Sequence, residues 1–248
     1  MMKKYFLMLG AALLSIALVS CKKDDKNDTL KEDENGGNSI YPSLNGTNYY
    51  PIVLDETTAK EIESRIVCDL RPNDGTNNLW VWDNTYAGSE SAGLSFYGLT
   101  EGWVSLKVGT VGWSGAGWNV TKEAPNFSKL ADIAQSPKSY YLHIGYKGAA
   151  GVAHELQLVY STQEKKFTVG DGEYDGRAAL APISNDGKFV ANEWNEYEIS
   201  IADLGIDYTV DLVDSEGKPA AGTNVFVCLS GGETGVEINL DAVFIYKK

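Results

Sequence analysis

Residues 103–108 read Trp-Val-Ser-Leu-Lys-Val, and residues 140–147 read Tyr-Tyr-Leu-His-Ile-Gly-Tyr-Lys. Both alternate apolar and polar side chains with a period of two, the signature of a strand with one buried face. In the first, Val104, Leu106 and Val108 must face a core, which turns Trp103, Ser105 and Lys107 outward. In the second, Leu142 and Ile144 mark the core face and leave Tyr141, His143, Gly145 and Lys147 outside. Similar runs recur at 49–54, 66–70, 79–82, 154–160, 166–169, 197–201, 225–229 and 236–246, separated by Gly, Asn, Asp and Pro. About ten strands without regular intervening helices predict an all-β, two-sheet antiparallel sandwich of the jelly-roll type. One short helix is expected over 127–134, after Asn126, and another near Thr57.

The N-terminus carries a different signal. Lys3 and Lys4 precede an apolar run from Tyr5 to Val19, which closes on Leu18-Val19-Ser20-Cys21. A short positive start, an apolar stretch too short for a comfortable span and a small-residue exit make a secretory signal peptide over residues 1–20. The segment Lys22 to Asn38 holds four lysines, six acids and a single large apolar residue, Leu30. It cannot bury enough surface to fold, and residues 21–38 are expected to form a solvated tether. Residues 39–248 then form one domain by length.

Removal of residues 1–20 takes away Lys3 and Lys4 but no acid, so the net charge falls from −13 to −15. No basic cluster interrupts this acidity, which argues against nucleic acid as a partner. Cys68 and Cys228 each sit in an apolar run, where they serve either as buried thiols or as a disulfide pair. With only His143 and His154 for company, they do not make a zinc site.

Five of the six tryptophans lie between residues 80 and 118. Trp103 is placed on the polar face of its strand. Trp113 and Trp118 lie in Gly109-Thr-Val-Gly-Trp-Ser-Gly-Ala-Gly-Trp, where glycines permit tight turns and close backbone approach. No Lys-Ser/Thr follows these glycines, so they are not a phosphate loop. A flat indole on a polar strand face suits the C–H patches of a pyranose, with neighbouring polar groups bonding its hydroxyls. Trp103, Trp113 and Trp118 are therefore the expected stacking platforms. Trp82, Tyr86, Tyr141 and His143 form a second tier, and Asp83 and Asn84 are hydroxyl partners. Trp80 and Trp82 fit a core position as well as a face, Trp194 a structural or rim position, and His154 a structural one. Glu193, Glu196 and Glu198 cluster, with Glu196 and Glu198 on one outward strand face, but the compact Glu-x-Asp-x-x-Glu pattern of jelly-roll β-glucanases is absent. No Gly-x-Ser-x-Gly elbow exists, and no second histidine follows His154-Glu155 at zinc-protease spacing.

Small residues leading into Cys21 resemble the bacterial lipobox, whose cysteine is diacylated and becomes the mature N-terminus. Lys23-Asp24-Asp25 beside it resembles the export signal of surface lipoproteins encoded with outer-membrane glycan importers of the starch-utilisation type. The closing segments, 194–201 and 235–246 (GVEINLDAVFIY), are similar to the last strands of jelly-roll carbohydrate-binding modules. The resemblance implies lipidation at Cys21, an outer-membrane location facing outward, and non-catalytic capture of a polysaccharide, a β-glucan or another neutral glycan, beside an importer. It also implies a structural calcium at Asp241, although the glycine-and-glutamate strand opening that usually completes that site is not evident between Tyr41 and Asp55. A secreted jelly-roll glycoside hydrolase and a fimbrial or adhesive lipoprotein are the alternatives.

Overall fold

Two antiparallel sheets pack face to face in the computed structural model, which describes residues 39–248 except 74, 100, 110 and 111. Residues 1–38, with the signal peptide, Cys21 and the tether, lie outside the described residues. The first sheet runs in the order β11 (Asn195–Ser200), β6 (Tyr140–Lys147), β13 (Glu237–Lys247), β4 (Val104–Val108) and β3 (Tyr86–Ser89). A further strand, β1 (Thr47–Val53), pairs with the C-terminal half of β13. The second sheet has the order β2 (Asn77–Val81), β5 (Trp113–Thr121), β12 (Gly222–Gly231), β7 (Ala153–Tyr160) and β8 (Gln163–Gly170). A small hairpin, β9 (Glu173–Tyr174) and β10 (Arg177–Ala178), packs beside β7 and β8. This is the predicted all-β jelly-roll sandwich, with three short helices: α1 (Glu56–Glu61), α2 (Ala131–Gln135) and α3 (Ile201–Leu204). Among the described residues no helix is long and apolar enough to cross a membrane.

The period-two pattern sorts side chains as the alternation requires. Leu106, Val108, Leu142, Ile144, Leu156, Leu158, Ile238 and Leu240 lie in the core between the sheets. β13 changes parity halfway. Between Asp241 and Phe244 its register with β6 shifts by one residue, and Ala242 adopts a positive φ of 49°. The extra residue is a bulge, and it lets Val243 and Ile245 continue the inward row while Phe244 and Tyr246 face out. The bulge sits where one edge of β13 passes from pairing with β4 to pairing with β1.

Two local readings change, and the short helix expected near Thr57 is present. Residues 113–121 form the strand β5, not a glycine turn, because Ala116, Trp118 and Val120 supply an inward row that the intervening glycines do not interrupt. The run 66–70 forms only a bridge at Ile66 to Tyr49, although Cys68 and Leu70 are still buried. Near Thr57, α1 is capped by Asp55, whose carboxylate accepts from Thr58 N at 2.9 Å.

Cys68 and Cys228 are both buried free thiols. Burial pushes each up to about 12, so neither presents a reactive thiolate. A Cys21→Ser chain should therefore give no reaction with a chromogenic disulfide reagent at pH 8 while folded, and two equivalents once denatured. Two rapid equivalents from the folded chain would show that these strands open readily.

Candidate functional site

The outer face of the first sheet does not offer the open platform that alternation suggests. A second apolar cluster covers it, with Tyr49, Phe244 and Tyr246 on the sheet and Leu44, Leu54, Ile62, Tyr97 and Leu99 laid over them. His143 faces outward as expected, yet it is fully buried. Its ring stacks on Phe244 at 4.7 Å, Phe96 meets it edge-on at 5.3 Å, and its nitrogens bond Ala242 O and Glu196 Oε1 at 2.7 and 2.9 Å. His143 is thus a structural side chain and not an accessible ligand contact. Tyr141 is half-buried, with the Lys248 ammonium 4.4 Å over its ring, which leaves that face occupied. Glu198 pairs with Tyr246 and Lys248.

Trp103 also keeps its assigned face and loses its assigned exposure. It is 8% exposed, with Trp194 edge-on at 5.5 Å and the Lys147 ammonium 4.1 Å over the ring. A cation on the indole face takes the position a sugar ring would need. Trp118 and Tyr86 are corrections of a different kind, since both point inward. Trp118 is wholly buried against Phe226 at 5.4 Å, and the Tyr86 hydroxyl shares a hydrogen bond with Ser230 Oγ at 2.8 Å. Trp118 shares its parity with Ala116 and Val120, the core row of β5, and this decides its side.

The second sheet carries the exposed indoles. Trp80 and Trp113 are 57% and 44% exposed, and Trp82 is half-buried on the same face. Gly115 and Gly117 face outward beneath these rings. A Cβ at Gly115 would lie 2.6 Å from Trp82 Cε3 and 2.8 Å from Trp113 Cζ3, so the missing side chain is what lets both indoles rest on the strand. At Gly117 a Cβ would meet Asn224 Oδ1 at 2.9 Å and Trp82 Cζ2 at 3.1 Å. Asp83 and Asn84, both exposed and with φ of 49° and 54°, form the tight turn after Trp82. Thr85 pins that turn to β5, donating to Trp82 O at 2.8 Å and accepting from Gly115 N at 3.0 Å. Of the expected residues, then, Trp82, Trp113, Asp83 and Asn84 come together, and Trp80 joins them.

Polar groups extend the same face across the sheet. Register places Gly115 opposite Leu229, Leu229 opposite Glu155 and Glu155 opposite Thr168. A parallel row runs from Trp80 through Gly117, Val227 and Gln157 to Lys166. Glu155 is buried, and its carboxylate accepts from Gln157 Nε2 at 2.6 Å, pairs with Arg177 of β10 and lies 3.6 Å from Lys166 Nζ. Thr168 Oγ1 and Arg177 Nε are buried with no hydrogen-bond partner. The face therefore runs from aromatic at β2 and β5 to polar at β7 and β8. Glu155, Gln157 and Arg177 were not among the expected site residues. The inward row of His154, Leu156 and Leu158 already turned the first two outward.

Asp241 lies in the β13 bulge and is fully buried. Its oxygens accept from Phe96 N at 2.8 Å and Ala242 N at 2.7 Å. Calcium takes six to eight oxygen ligands; here the carboxylate faces N–H donors. Asp55, whose charge reaches it, is itself committed to capping α1. Among the described residues no group of three His, Cys, Asp or Glu is placed to hold a metal. The residues at Asp241 do not fit calcium. Burial raises this carboxyl to about 7, against the two backbone bonds that lower it. The folded state thus holds a proton that the unfolded state releases near pH 4, and the associated stability fades as pH rises from about 4 to 7. The melting temperature of Asp241→Asn relative to the native chain should therefore climb over that window. A difference that stays constant with pH would refute the buried, proton-holding carboxyl.

No family model and no curated protein matches the chain. Solved structures are similar to it. The family 11 carbohydrate-binding module of a cellulosomal cellulase of Clostridium thermocellum is 9% identical at TM-score 0.39, over 71% of this chain and 90% of that one. TmCBM61, solved with β-1,4-galactotriose, is 11% identical at TM-score 0.36, over 70% and 90%. An exo-β-agarase is 9% identical at TM-score 0.40, over 71% of this chain and 24% of that one.

Proposed function

We propose that residues 39–248 form a non-catalytic module that binds a neutral polysaccharide across the outer face of the second sheet. In this reading Trp80, Trp82 and Trp113 stack on successive sugar rings, while Asp83, Asn84, Asn224 and the polar end at Gln157 and Arg177 bond hydroxyls. The observation that carries it is one sheet face on which Trp82 and Trp113 lie over Gly115 and Trp80 stands opposite Gly117 in register, with Trp80 and Trp113 both exposed. Exposed tryptophans that share one sheet face suit a binding surface better than a packing role. The engagement of Glu196 by His143, and of Glu198 by Tyr246 and Lys248, supports a structural role for the carboxylates that hydrolysis would need. The acylated Cys21 and the tether over 21–38 would hold this module outside the outer membrane, beside an importer that receives the glycan.

Retardation of the full chain in native gels containing β-glucan or another neutral polysaccharide tests the binding, with no reducing ends released on prolonged incubation. Turnover lost in Glu196→Gln or Glu198→Gln would replace this reading with a hydrolase. Cys21→Ser should free the protein from membranes, and external protease should reach the native domain on intact cells. Protection until the outer membrane is broken would remove the capture role.

A further inference from the structure

A cleft of about 590 Å³ opens on the outer face of the first sheet, lined by Trp103, Lys147, Asn239 and the loop before β13. Two residues of its lining each carry a buried polar atom without a hydrogen-bond partner. Trp103 Nε1 has no acceptor and Asn239 Oδ1 has no donor, although Asn239 Nδ2 is fixed by a 3.0 Å bond to Lys147 O. Trp103 and Asn239 are 8% and 7% exposed. A buried donor and a buried acceptor left unmet each carry a desolvation cost, and they share one cleft. Its volume lies in the range of small-molecule sites and far exceeds that of a single water.

From this we propose that the cleft is a binding site for a compact neutral polyhydroxyl ligand, a single sugar residue or chain end, held by the Trp103 N–H and the Asn239 carbonyl. One hydroxyl both accepts and donates, so adjacent hydroxyls on one ring satisfy this mixed pair where a carboxylate or an ammonium satisfies only half of it. The charges lining the cleft are mixed, with Lys147 set against Glu233 and Glu237, the latter paired to Lys107 at 3.3 Å. No single sign of ligand charge is favoured. The site uses the edge of Trp103, since Lys147 covers its face. It lies on the other sheet from Trp80 and Trp113 and does not rest on the reading given to them.

The test follows the indole N–H resonances of the isotope-labelled full chain in detergent micelles. Methyl glycosides of glucose, galactose and mannose are titrated in, with glycerol as a small-polyol control, and the Trp103 signal is assigned by its loss in Trp103→Phe. At least one glycoside should move the Trp103 signal saturably, and equally so in the Trp80→Ala/Trp113→Ala chain. Asn239→Leu should require about tenfold more of that glycoside. If Asn239→Leu collapses the dispersion of the indole signals, calorimetry on Trp103→Phe replaces it, with the same weakening expected. A Trp103 signal that no glycoside moves overturns the proposal. So does one that responds only while Trp80 and Trp113 are present, or a variant that binds undiminished. Glycerol matching the glycosides would overturn the sugar assignment.

Discussion

Trp118→Ala should melt roughly 6–20 °C below the native protein, while the folded variant still binds polysaccharide as the native chain does. Trp118 is the largest wholly buried side chain and packs against Phe226 between the sheets. Truncating such a tryptophan typically costs ~3–5 kcal/mol. Each kcal/mol shifts the midpoint of a domain this size by about 2–4 °C. The buried Trp118 Nε1 has no partner, so Trp118→Phe loses volume but also removes an unmet donor, and it should cost far less than the alanine change. Thermal melts of both variants beside gel retention separate the two roles. A stable Trp118→Ala that no longer binds glycan would put this residue on the surface and undo the core assignment.

The opposite pattern is expected at Trp80 and Trp113. Both are substantially exposed, so the double alanine variant opens no cavity and should change stability by no more than about 1 kcal/mol in total. Aromatic anchors at binding surfaces commonly carry ~2 kcal/mol or more each, which is about thirtyfold in affinity. Losing both should weaken retention in a polysaccharide gel by a hundredfold or more, to the limit of detection on the scale these estimates set. For a neutral glycan, salt should leave the native retention unchanged, since no ion pair is screened. Gly115→Val offers an independent check that spares every tryptophan. Its Cβ would press on Trp82 and Trp113 at 2.6 and 2.8 Å, lifting the rings out of line and weakening binding. Undiminished retention in the double variant would exclude the second sheet as the binding surface.

Strand faces were legible wherever alternation was strong. Val104 to Val108, Leu142 to Tyr146 and His154 to Leu158 all turn as their pattern requires. Exposure was not legible, because alternation reports which side of a sheet a residue occupies and says nothing of what lies above it. His143 and Trp103 were read to the correct side. Phe96 in one case, and Trp194 and Lys147 in the other, come from distant parts of the chain to cover them. Trp118 failed for another reason: its glycine neighbours hid the strand. The same glycines, read as gaps in a pleat with Trp82 above them, mark the face on which the indoles rest. Asp241 was misread because a bulge places its carboxylate against backbone N–H groups, a geometry no spacing in the sequence announces.

The position of β13 has a consequence for how the chain acquires its structure. β13, which follows all the other strands in sequence, is the middle of the first sheet, joined to β6 along one edge and to β4 and β1 along the other. Until residues 237–247 arrive, β1, β4 and β6 have no common partner, and strands nearly two hundred residues apart in sequence must wait for each other. Such non-local closure is slow. The first sheet therefore cannot close around its centre until residues 237–247 have joined it, whatever order the other strands take.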